Sequence, residues 1–80
     1  MTYANAIAKR TKELLYKRNI SQYRLVKDTG LDKSTVQSIF KGKTKDVKFS
    51  TIHLIAEFFD MSVIEFLNDE AFSRENLDLL

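Results

Sequence analysis

The chain contains no cysteine and no proline, one histidine, two glycines, and no apolar run longer than a few residues. Each shortage removes a class of protein. Without cysteine there are neither disulfides nor thiolate metal sites. With His53 as the lone imidazole, a zinc site built from three or four protein ligands is not expected. The apolar runs are too short to span a bilayer. The opening stretch MTYANAIAKR lacks a charged leader followed by an apolar core, so a cytoplasmic location is expected. No set of nucleophile, base and orienting residue stands out, and neither an enzymatic activity nor a cofactor or metal is expected.

Eighty residues suit one small domain, which buries about 60% of the surface its unfolded chain exposes. The net charge of +2 hides a division. Residues 1–48 carry twelve Lys and Arg against Glu13, Asp28, Asp32 and Asp46, a net of +8; residues 49–80 carry Arg74 against seven acids, a net of −6. A polyanion is therefore expected to meet the N-terminal part.

Apolar spacing is helical from end to end. In the first segment Ala4, Ile7, Ala8, Thr11, Leu14 and Leu15 form one stripe. It should stop near Asn19, a residue that tolerates the left-handed turn after a helix. Ser21 caps a second helix running to about Thr29, with Leu25 and Val26 inward, and Gly30 turns the chain. Asp32 is the next N-cap, opening the helix KSTVQSIFK. A loop, GKTKDVKF, precedes a fourth helix that starts at Ser50 or a neighbour and faces Ile52, Ile55, Ala56 and Phe59 inward. Ser62 caps a fifth helix. No stretch alternates as a strand would. The expected fold is all-α, a bundle of five short helices over residues 1–68, with residues 69–80 as a partly ordered C-terminal tail.

The third helix has an unusual outer surface. Val36, Ile39 and Phe40 share its inner face, whereas Ser34, Gln37, Ser38 and Lys41 lie outside, without a carboxylate among them. Lys43, Lys45 and Lys48 follow in the loop. Two short helices joined through a glycine turn are the helix-turn-helix unit. The stretch ISQYRLVKDTGLDKSTVQSIFKGKTK resembles the phage repressor and Cro (XRE) family of DNA-binding domains, through Gln22, Leu25, Val26, Gly30, Val36, Ile39 and Gly42. Downstream, STIHLIAEFFDMSVIEFL resembles the fourth and fifth helices of that family, so the likeness spans roughly residues 7–68.

The resemblance implies base contacts from Lys33, Ser34, Gln37 and Ser38 in the major groove. There lysine can donate to guanine and glutamine can pair with adenine. Gln22, at a helix N-terminus, is expected to hold a phosphate, as are Thr35, Lys41, Lys43, Lys45 and Lys48. The function this implies is a sequence-specific transcriptional regulator, a repressor that occupies an operator in double-stranded DNA. The family commonly dimerises on two-fold operators. Met61, Val63, Ile64, Phe66, Leu67 and Phe72 exceed the expected need of the core and are candidates for a homodimer interface.

Two positions depart from the pattern. The family often pairs an Arg on the first helix with a Glu ending the third; Leu15 and Phe40 stand there instead, and should touch in the core. Val26 replaces the usual alanine where the two helices approach most closely.

Other signals are weaker. GKT at 42–44 lacks the earlier glycine of a phosphate-binding loop, because position 37 is Gln37. NIS at 19–21 reads as a helix end and cap rather than a glycosylation acceptor. His53 reads as a surface histidine near the lysine loop. The alternative function is an antitoxin-like or adaptor module that uses the acidic C-terminal half, with DNA contact secondary. RNA binding would lean on exposed aromatics, for which Tyr16 and Tyr23 are the candidates.

Overall fold

Why the helices stop where they do is answered by four residues with positive φ: Asn19 (54°), Gly30 (75°), Gly42 (72°) and Asp60 (59°). A computed structural model describes residues 1–78. Its order is α1 (Tyr3–Arg18), α2 (Gln22–Thr29), α3 (Lys33–Phe40), α4 (Phe49–Phe58), α5 (Val63–Leu67) and a 3₁₀ turn (Glu70–Phe72). After α1, Asn19 donates to the Tyr16 carbonyl (3.2 Å) and Ile20 to the Leu15 carbonyl (2.9 Å). These are the two bonds of a Schellman motif, which satisfies carbonyls a helix end otherwise leaves open. The same pair closes α3, with Gly42 donating to Ile39 (3.1 Å) and Lys43 to Ser38 (2.9 Å). It closes α4 as well, with Asp60 donating to Glu57 and Met61 to Ala56, both at 2.9 Å. Asp60 in the left-handed region has no counterpart in the sequence expectations.

The starts are equally local. Thr2 Oγ1 accepts from the Asn5 N–H (3.1 Å) and Ser21 Oγ from Arg24 (3.2 Å). Ser62 and Glu65 form a reciprocal capping box at the start of α5. The Ser62 backbone N–H, and secondly its hydroxyl, hold the Glu65 carboxyl below its ordinary value. Asp32 occupies the N-cap position of α3, as expected, but its side chain makes no capping hydrogen bond.

The core joins all five helices. Phe59, Phe66, Leu25, Ile55 and Val36 are almost wholly buried, with Ile7, Leu14, Leu15 and Ala56 around them. The expected α1 stripe is buried throughout, Thr11 included, because its hydroxyl donates to the Ile7 carbonyl at 2.7 Å. Phe40 packs against the cluster that contains Leu15. Val26, expected inward, is only half-buried. The supposed apolar surplus is largely absorbed: Phe66 is central, and Met61, Val63, Leu67 and Phe72 pack against the core, which leaves Ile64 exposed.

The stretch from residue 69, expected as a tail, lies along α1. Ala71 and Leu77 are buried with Ala6. The Met1 ammonium donates to the Asn76 carbonyl (2.6 Å), and the Asp78 N–H to the Met1 carbonyl (2.8 Å). Residues 79 and 80, part of the same expectation, lie outside the described residues. No helix among the described residues is long and apolar enough to cross a membrane.

Candidate nucleic-acid interface

Burying Val36 and Ile39 fixes which way the rest of α3 points. Lys33, Ser34 and Thr35 are exposed, and Gln37 and Ser38 half-buried. The turn that presents this helix is braced from within. Thr29 Oγ1 donates to the Leu25 carbonyl (2.6 Å) and accepts from the Leu31 N–H (3.3 Å), while Gly30 donates to Val26 (3.1 Å). At the other end, the Lys43 N–H bond to Ser38 folds the basic loop against the foot of α3.

The expected site residues separate onto the two flanks of α3. On the α2 side, Gln22, Lys33 and Gln37 line one cleft of about 400 Å³ together with Tyr23 and Val26. On the loop side, Thr35 and Lys48 line a second hollow of about 350 Å³, which also holds Asp32 and Asp46. Ser34 and Ser38 lie between the flanks on the helix wheel. Lys41, Lys43 and Lys45 are exposed along the turn and loop. Thr35 and Lys48 were expected among the phosphate contacts, yet they share their hollow with two carboxylates, whereas the α2-side cleft has none.

Among the described residues, no carboxylate lies within ion-pair distance of Lys33, Lys41, Lys43, Lys45 or Lys48. None of the five is therefore held in a direct ion pair, although Lys48 shares its hollow with Asp32 and Asp46. Three other cations of the basic half are tied up. Arg10 donates to the Phe66 carbonyl (2.9 Å) and sits 5.8 Å over that ring. Arg18 does the same at Phe59 (2.8 and 5.5 Å), and Lys12 at Phe40 (3.0 and 5.3 Å). Each acceptor lies at the C-terminal end of its helix, where a cation meets open carbonyls and the negative end of the helix dipole. Lys12 and Phe40 thus supply a contact at the place where the resemblance implies an Arg–Glu pair.

Tyr23, expected from the sequence only as a stacking aromatic, is 75% exposed and forms a wall of the α2-side cleft. Its position directly after Gln22, on the outer side of α2, was the available signal. His53 pairs loosely with Glu57, one turn along α4 (3.6 Å).

Comparison with known proteins bears on the fold and the family. Among solved structures, the crystal structure of the prophage Lp1 protein 11 shares the fold, with a TM-score of 0.81 at 24% identity, over 92% of this chain and 99% of that one. No curated protein matches. A family model of the Cro/C1-type HTH DNA-binding domain matches residues 10–71. With an exposed third helix behind a glycine turn and a family match over most of its length, this chain belongs to the Cro/C1-type helix-turn-helix DNA-binding family.

Proposed function

We propose that the chain is a sequence-specific transcriptional repressor that works in the cytoplasm by occupying an operator in double-stranded DNA. The observation that carries this reading is the absence of carboxylates from the α2-side flank of α3, where Lys33 and Gln37 stand, followed in the chain by Lys41, Lys43 and Lys45, which have no ion-pair partner among the described residues. A helix fits the major groove, where Lys33, Ser34, Gln37 and Ser38 would meet base edges. Gln22, Thr35, Lys41, Lys43, Lys45 and Lys48 would hold phosphates and fix the register. These contacts all fall within residues 1–68, and the stretch from 69 contributes none. Nothing in this reading requires a catalytic step.

A two-fold operator would be bound by a homodimer, with half-sites about one helical turn apart. Ile64, 81% exposed on α5, is the apolar residue left to face a second copy. Selection from a random double-stranded library, followed by gel shift of the enriched duplex and of scrambled DNA, tests the reading. Enrichment of a defined motif bound well above scrambled DNA supports it. Equal affinity for both would leave only non-specific binding and would contradict a reading role for α3.

A further inference from the structure

The cleft between α2 and α3 differs chemically from the rest of the reading surface. Its rim is polar, formed by Gln22, Lys33 and Gln37, but its remaining lining is Val26 and Tyr23. Val26 packs against the core on one side and is left half-exposed on the other. An apolar floor between polar side chains gains from burial against an apolar group small enough to enter the cleft. In the major groove, the apolar group that base edges offer is the methyl on carbon 5 of thymine, a methyl that 5-methylcytosine also carries.

We propose that Val26 and Tyr23 form a receptor for the 5-methyl group of a pyrimidine, which makes these two α2 residues determinants of sequence preference beside the α3 side chains. The inference rests on the DNA-reading function proposed above. Charge supports this occupant over an apolar peptide. No carboxylate lines the cleft, Lys33 stands on its rim, and the acids near α3 lie on the opposite flank in the hollow with Thr35. A base approaching Gln37 and Lys33 for hydrogen bonding would bring its neighbour's methyl toward the floor between the helices. Discrimination then comes from two different interactions, polar on α3 and apolar on α2.

The test uses the full chain and the duplex enriched by selection. Each thymine is replaced singly by deoxyuridine, which removes the methyl and leaves base pairing intact. Burying one methyl corresponds to about a fourfold affinity difference. We expect that loss at one thymine position of the motif, and a thymine-to-uracil ratio near one at that position for both Val26→Ala and Tyr23→Ala. Tyr23 is mostly exposed, so its replacement tests the receptor even if Val26→Ala shifts the helix packing. A second arm places cytosine or 5-methylcytosine, paired with guanine, at the same position. A gain on methylation supports a receptor for the methyl itself, whereas no gain contradicts a receptor for the methyl of either pyrimidine. A defined motif whose affinity is indifferent to uracil at every position, or an unchanged thymine-to-uracil ratio in both variants, overturns the receptor and leaves the repressor reading standing. Failure to enrich any motif overturns both.

Discussion

Arg10, Lys12 and Arg18 on α1 each donate to the carbonyl of a phenylalanine near a helix C-terminus and lie over its ring. Lys33, Lys41, Lys43 and Lys45, on α3 and its following loop, are exposed and have no carboxylate in reach among the described residues. The two groups share a sign and come from the same basic half of the chain. One group closes the fold; the other is left for a polyanion. The +8 of residues 1–48 therefore divides between cations held at helix ends and cations without a local partner. What separates the groups is the local partner: helix ends with open carbonyls hold the α1 cations, with only Arg10 largely buried, and the exposed turn after α3 offers nothing comparable.

The comparison predicts that variants will divide into those that lose stability and those that lose binding. The largest effect should come from beneath Arg18. Phe59 is fully buried, so Phe59→Ala should lower the free energy of unfolding by about 3–5 kcal/mol, read by urea titration. A loss under about 1 kcal/mol would mean the ring is not the packed floor described.

On the other side, Gln37→Ala and Lys33→Ala should each weaken binding to the preferred duplex by about 1–3 kcal/mol and change random-DNA binding little. Their unfolding free energies should stay within about 0.5 kcal/mol of the parent. Equal losses on both DNAs would move these residues from base reading to phosphate contact.

A smaller effect is expected at the capping box of α5. The folded Glu65 carboxyl is held below its ordinary value, first by the Ser62 backbone N–H and then by the hydroxyl. A lowered folded value means the stabilisation is present above the ordinary glutamate range and is lost as pH falls through the folded value. The parent should thus exceed Glu65→Gln in stability near neutral pH, with the gap closing in acid. A gap that widens in acid would reverse the sign of this linkage.

Much of the fold was legible in the sequence because its signals are local. The α1 stripe, Asn19 and Gly30 as turn residues, and Ser21 and Ser62 as caps depend on neighbours three or four positions away. Asp60 was harder to read, since non-glycine residues seldom take positive φ and aspartate, although enriched among those that do, more often marks a helix start. The α1 cation contacts were not legible, since they join residues 28 to 56 positions apart. The apolar surplus was misjudged for the same reason: Met61, Val63, Leu67 and Phe72 find their neighbours only once α1 and α4 are in place. At the candidate site, the outer face of α3 followed from its period. The grouping of Tyr23 with Gln37, and of Thr35 with Asp32 and Asp46, depends on how α2 and the loop flank that helix.

The most direct test of the division between the two cation groups is the salt dependence of DNA binding for Lys45→Ala and Arg10→Ala, each measured where the variant remains folded. Each phosphate neutralised contributes about 0.9 to the slope of log affinity against log salt. Lys45→Ala should lower that slope by about 1 across preferred and random sequences without altering stability. Arg10, whose side chain is only 11% exposed and bonded to α5 and Asp69, should leave the slope unchanged while its loss costs roughly 1.5–3 kcal/mol of folding free energy. An unchanged slope for Lys45→Ala, or an equal reduction for Arg10→Ala, would contradict the separation of closing cations from DNA-facing ones.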